Sequence, residues 1–192
     1  MKMKKRSSCN CSLQILLAAL FMLSVCGKVH GQFYSVSTDA LGLGTGTFNV
    51  EGSMAINSHW TIHLPVRYNP WTFSGNKKMK QLSVLPGVRY WLRESYAGGW
   101  FFGSNAILSR YNFGGLLGSS YRYDGEGYGL GLSAGYSIPL QKHWNLEFEL
   151  GGGLVWSRRD KYPCVRCGQK IKEEKGVWLA PDKASVSIVY LF

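Results

Sequence analysis

A two-residue alternation of apolar and polar side chains runs through most of this sequence, and it limits the fold more than any other feature. Trp144, Leu146, Phe148 and Leu150 alternate with Asn145, Glu147, Glu149 and Gly151. Trp60, Ile62, Leu64, Val66 and Tyr68 alternate with Thr61, His63, Pro65, Arg67 and Asn69. Tyr128, Leu130, Leu132, Ala134, Tyr136 and Ile138 do the same against glycines and serines. In an extended chain successive side chains point to opposite faces, so each stretch is a strand with one greasy and one polar or small face. No long helical periodicity competes with it. The pattern predicts eight strands, at 34–43, 48–56, 60–73, 80–92, 99–112, 122–140, 144–158 and 182–192.

The connections have a pattern of their own. Residues 57–59, 94–98 and 141–143 are short, whereas 74–79, 113–121 and 159–181 are mostly longer; the first connection, 44–46, is the exception. Short turns on one rim and longer loops on the other suit an all-β, eight-stranded antiparallel up-and-down transmembrane β-barrel. The start of the chain agrees with export. Lys2, Lys4, Lys5 and Arg6 precede an apolar run from Leu13 to about Val25, and Val29-His30-Gly31 stands before Gln32. A run that short falls below the roughly 20 residues of a spanning helix, so residues 1–31 read as a signal peptide and 32–192 as the barrel domain. Lipid attachment at Cys26 is the rival reading of this segment. The formal charge of +11 then overstates the basicity: the leader carries five basic and no acidic residues, leaving 17 against 11. Cys164 and Cys167 become the only thiols of the mature chain.

Aromatic residues collect where the apolar faces end. Ile56-Asn57-Ser58-His59-Trp60-Thr61-Ile62 is echoed by Leu140-Gln141-Lys142-His143-Trp144-Asn145-Leu146, and Trp100 opens a strand in the equivalent place. Trp60, Trp100 and Trp144 are expected at one membrane–water interface, since an amphipathic indole prefers that boundary. Tyr68, Trp71, Phe73, Tyr111, Phe113, Tyr121, Tyr123, Trp156 and Tyr162 lie at the opposite strand ends, where Trp71 and Trp156 are expected to anchor the other interface. Phe192 completes the anchors.

Eight strands leave a lumen only wide enough for side chains. Glu51, Glu147 and Glu149 would face Arg67, Arg89, His63 and Arg93 there, and because an isolated buried charge is costly the expectation is a mutually neutralising plug rather than an open pore. Cys164-x-x-Cys167 sits in the longest predicted loop, where a local disulfide pinning a turn is the expectation and a metal bridge between chains or redox exchange the alternatives. The predicted outer loops carry a basic surplus that includes Lys77, Lys78, Arg166, Lys170, Lys172 and Lys175, which suits lipid phosphates or an acidic glycan. No spacing singles out a catalytic set or a metal site, no cofactor is expected, and export argues against nucleic acid as a partner.

Several segments resemble one family: Arg67-Tyr68-Asn69-Pro70-Trp71-Thr72-Phe73 with Asn76-Lys77-Lys78, Leu85-Pro86 with Val88-Arg89-Tyr90-Trp91, Tyr162-Pro163-Cys164-x-x-Cys167-Gly168, and Tyr190-x-Phe192. Together they are similar to the Bacteroidales domain of unknown function 3575, over nearly all of the mature chain. The resemblance implies a small outer-membrane β-barrel, often encoded near fimbrial genes, with no known reaction. The expectation is therefore a non-enzymatic barrel with a structural or surface-interaction role, touching outer-membrane lipid and a fimbrial or surface protein partner. Its last strand, alternately apolar and ending on Phe192, fits the pattern that bacterial barrel-assembly machinery accepts. A small lipid-modifying outer-membrane enzyme and a soluble lipocalin-like barrel are the alternatives.

Overall fold

The computed structural model describes residues 34–73, 77–114, 121–162 and 172–192. The chain order is β1 (Tyr34–Asp39), a one-turn helix α1 (Ala40–Gly44), β2 (Phe48–Ala55), β3 (Trp60–Phe73), β4 (Lys77–Val84), β5 (Gly87–Trp91), β6 (Gly99–Gly114), β7 (Arg122–Gln141), β8 (Trp144–Tyr162) and β9 (Lys172–Leu191). Apart from β4 and β5, which do not pair with each other, each strand pairs antiparallel with its sequence neighbour, and β1 closes the ring by pairing with β9. β4 and β5 together form one wall strand. Both pair with β3 and β6 in a single register, from Val66↔Val84 to His63↔Gly87 on one side and Val84↔Leu108 to Gly87↔Asn105 on the other. The ladder thins between them because Pro65 and Pro86 carry no N–H; Leu85 N still donates to Pro65 O at 3.0 Å and Ala106 N to Pro86 O at 2.9 Å. The result is a closed eight-stranded antiparallel barrel, as the alternation predicts.

The greasy faces point outward. Leu132 and Leu150 are each 71% exposed; Trp60, Phe148 and Ile188 are exposed, and Val66 is half-buried in the same outward row. On β8 this apolar band runs from Trp144 to Trp156. At the rim with the short turns each of the three expected tryptophans meets a tyrosine across a strand pair. Trp60 stands 5.1 Å from Tyr90, Trp100 5.2 Å from Tyr136 and Trp144 5.0 Å from Tyr190, ring centre to ring centre. Each pair is a direct register partnership, so the sequence repeat marks a repeated cross-strand contact. Phe192 packs edge-on against Tyr190 at 5.0 Å.

Several boundaries differ from expectation. The first strand stops at Asp39 because the Asp39 carboxylate accepts from Leu41 N at 3.0 Å and starts α1, so residues 40–43 are helical rather than extended. The stretch 159–181 is mostly the upper part of a hairpin rather than a loop, since β8 runs to Tyr162 and β9 begins at Lys172. Beyond the apolar band both faces of these strands are polar, so hydrophobic alternation gives no signal there. Cross-strand pairs hold them instead: Arg158 Nε donates to Glu173 at 2.6 Å and Arg159 Nε to Glu174 at 2.9 Å. Lys77, Lys78, Lys172 and Lys175 consequently lie on strands, not in loops. Arg166, Lys170, Cys164 and Cys167 fall outside the described residues.

Candidate functional site

The inward side chains fill the barrel in two storeys. Nearest the short-turn rim, Trp91, Tyr96, Phe101, Val189, Leu191 and Ala55 form a buried apolar cluster. Trp91 sits 4.8 Å from Phe101 and 5.6 Å from Tyr96, and its Nε1 donates to Thr61 Oγ1 at 3.1 Å. Tyr96 comes from the turn between β5 and β6, which holds it at φ 64, a left-handed conformation uncommon for a bulky residue. That turn is fixed by Ser95 N donating to Ser58 O at 2.7 Å, and its tyrosine hydroxyl meets Ser53 Oγ at 2.5 Å. The short-turn end of the barrel is thereby stoppered.

Above the stopper lies the polar network. Arg89 is its hub: Nη1 stands 2.7 Å from Glu51 and 3.7 Å from Glu147, and Nη2 stands 2.6 Å from Glu149. Lys183 Nζ meets the other Glu149 oxygen at 2.8 Å, where Ser133 Oγ also donates at 2.6 Å. The guanidinium further lies 5.0 Å from the centre of the Phe101 ring. His63 packs against Glu51 at 3.7 Å, an ion-pair distance longer than a hydrogen bond, and neither ring nitrogen has a hydrogen-bond partner among the described residues. All six expected lumen residues, Glu51, His63, Arg67, Arg89, Glu147 and Glu149, therefore point inward, with Glu51 and Arg67 the less buried. Arg93 does not join them; it lies exposed beyond the end of β5. The free space left beside Glu51, Arg67, Glu149 and Lys183 is ≈ 20 Å³, room for about one water. A steady ionic current through the intact barrel is thus not expected in planar-bilayer recordings, and resolved conductance steps would show that the plug moves.

Two members of the network were not anticipated. Lys183 was legible: Ala184, Val186 and Ile188 face outward, which turns Lys183 inward. Asp182 was not, because it depends on a bulge. Gly151 pairs with Lys183 and Gly152 with Pro181, so Asp182 is the extra residue. Its backbone oxygen accepts from Arg67 Nη1 at 2.9 Å and its Oδ2 from Asn105 Nδ2 at 2.9 Å, while Oδ1 is buried without a hydrogen-bond partner among the described residues. The carboxylate fits because Gly131 and Gly151 flank it: a Cβ on Gly131 would overlap Oδ2, and one on Gly151 would lie 2.9 Å from Oδ1. Replacing Gly131 by Ala is expected to destabilise the barrel by about 1–3 kcal/mol through this overlap. Asp182→Ala in the same chain should recover part of that loss, read from the shift of urea unfolding midpoints.

At the long-hairpin end, the outward row past the apolar band is charged. Arg110, Glu126, Arg158 and Lys175 are successive register partners across β6 to β9, and Arg110 hydrogen-bonds Glu126. Trp71 and Trp156 stand exposed at this end; Trp156 lies in the outward row of β8, whereas Trp71 falls in the inward row of β3 with His63, Arg67 and Asn69. Tyr111 and Tyr123, expected with them, instead take inward positions of their strands. Tyr111 OH bonds Ser157 Oγ at 2.5 Å, and Arg159 lies over Tyr123 at 5.0 Å and over Trp178 at 4.8 Å. Among the described residues no group of three or more His, Cys, Asp or Glu side chains could hold a metal ion.

No curated protein and no solved structure matches this chain. Residues 16–192 match the family model described as "Protein of unknown function (DUF3575)", and with nearly its whole length covered the chain belongs to that family.

Proposed function

We propose that this barrel resides in a bacterial outer membrane after removal of residues 1–31, catalyses no reaction, and works as a rigid display platform for a surface contact. The observation that carries the reading is the outward face: an apolar band bounded at one rim by the three Trp–Tyr pairs and followed at the other by the charged row Arg110, Glu126, Arg158 and Lys175. Strand length supports it. β7 and β9 have 20 residues each and β8 has 19. At ~3.3 Å per residue and a tilt of ~40°, that length rises roughly 50 Å along the barrel axis, about twice an apolar band of ~25 Å. The surplus is a projecting sheet of β6 to β9 whose inward surface mixes Tyr111, Phe113 and Tyr123 with Arg159 and Lys161, and Trp178 stands at its base, level with Val155. Aromatic rings beside cations suit an acidic glycan or a surface protein, a fimbrial component included. A plugged lumen leaves this sheet as the interacting part.

Whole-cell labelling tests the placement. Lys175→Cys, in a chain whose Cys164 and Cys167 are serine, is expected to react with a membrane-impermeant maleimide on intact cells, and Gln141→Cys only after the cells are opened. Equal labelling of both positions on intact cells would refute the orientation. Recovery of the protein in the soluble fraction would refute the membrane assignment.

A further inference from the structure

The barrel wall has a notch. β1 has 6 residues and β2 has 8, whereas their outer neighbours β9 and β3 have 20 and 14. β1 pairs with β9 only from Ser187 to Leu191, and β2 pairs with β3 only up to Phe48↔Tyr68. Above those points no described strand covers the facing edges of β9 and β3. α1 and residues 45–47 form the sill of the opening. A groove of ≈ 510 Å³ occupies it, lined at the sill by Leu41, Thr45 and Thr47 and deeper in by Arg67, Gln81 and Asp182.

Two occupants are conceivable for an opening between strand edges, and the edge itself decides between them. An added peptide strand needs a row of free N–H and C=O groups. Here the Val186 N–H is already taken by Asp39 Oδ1 at 3.1 Å, Pro181 has no N–H, and the bulge at Asp182 breaks the repeat between them. These are the devices that discourage strand addition. The rim is apolar instead: Leu41, Leu43, Phe48, Val177 and Trp178 are exposed, and Leu179 is 82% exposed. Trp71 is fixed at the sill, its Nε1 donating to Gly46 O at 2.5 Å. The interior offers a cation, Arg67, which reaches across to Asp182 O, and the acceptor Asp182 Oδ1, which has no hydrogen-bond partner among the described residues.

We propose that this lateral window binds a phosphate-headed membrane amphiphile, with its acyl chains along the rim of Leu41, Leu43, Trp178 and Leu179 and its phosphate on Arg67. The proposal rests on the membrane placement above, since the window opens sideways at the long-hairpin end of the apolar band. Arg67 supplies the charged donor, and hydroxyl or amine groups of a headgroup match the acceptors Asp182 and Asp39.

The test uses the folded protein in phosphatidylcholine vesicles containing a small fraction of phosphatidylglycerol with a diazirine in one acyl chain, followed by mapping of the adducts. Adducts are expected to concentrate at Leu41, Leu43, Trp178 and Leu179, with Leu130 and Leu132 on the β7 wall as the internal reference for ordinary lipid contact. Ala184→Trp, which fills the groove, should remove the excess. Arg67→Gln should lower it about tenfold, the loss expected for one hydrogen bond to a charged group. Retained electrophoretic heat-modifiability certifies each variant as folded, and if one fails to fold the other decides. A diazirine-tailed diacylglycerol, without phosphate, should show no excess. Equal labelling of window and wall, an excess that survives a folded variant, or diacylglycerol labelling as strong as the phospholipid's would overturn the proposal. Lack of labelling at Leu130 and Leu132 as well would overturn the membrane placement itself, and the proposal with it.

Discussion

Replacing Leu150 by Arg is expected to destabilise the barrel in a lipid bilayer by about 2–4 kcal/mol, the cost of a cation on the lipid face near the midplane. Leu150 lies midway along β8 between Trp144 and Trp156 and is 71% exposed. In water an arginine at so open a position would be close to neutral, because surface substitutions away from special features usually lie within about 0.5 kcal/mol. The sign of the reading therefore depends on what surrounds the barrel. Gln141→Arg, at the short-turn rim, serves as the companion variant and should cost only about 0–1 kcal/mol. Urea titration of both variants refolded into vesicles measures the difference. Equal and negligible costs would mean that water, not hydrocarbon, faces the apolar band.

The features legible in the sequence are those in which side-chain chemistry and the two-residue period coincide. Trp144 to Leu150 could only be a strand with its carboxylates on the other face, so Glu147 and Glu149 were placed in the lumen together. The same logic placed Arg89 and His63, and it applies equally to Lys183, which lies inside the expected final strand on the face opposite Ala184, Val186 and Ile188. Legibility ended where the period carried no hydrophobic signal. Over residues 158–161 and 172–175 both faces are polar, and the strand pairing is fixed by charge partners that sequence spacing does not reveal. It ended also where one residue breaks the count: the bulge at Asp182 shifts the register and brings into the lumen a carboxylate that strict alternation would not put there. Tyr96 left no sign, because a turn residue folding back into a barrel follows no period. The window over α1 is a consequence of unequal strand lengths, and it becomes visible only when β1 and β2 are set beside β9 and β3.

Arg89 is where the largest single loss is expected. Its guanidinium holds three carboxylates, Glu51, Glu147 and Glu149, inside a wall that is greasy on its far side. Arg89→Met keeps much of the side-chain volume but strands those carboxylates with Lys183 as the remaining strong cation in contact. Breaking a buried ion pair by removing one partner typically costs about 3–5 kcal/mol, since it leaves uncompensated buried charge rather than merely deleting an attraction. The distinction can be measured. Adding Glu51→Gln and Glu147→Gln to Arg89→Met removes the two carboxylates that pair with Arg89 but not with Lys183 and leaves Glu149 with Lys183 at 2.8 Å. If uncompensated charge is the dominant cost, the triple variant regains most of the lost stability even though it has fewer polar contacts than either parent. If instead the contacts themselves hold the barrel together, each further substitution lowers the urea midpoint again. The first outcome is expected because the cavity beside Glu51, Glu149 and Lys183 has space for about one water, too little to solvate the stranded carboxylates.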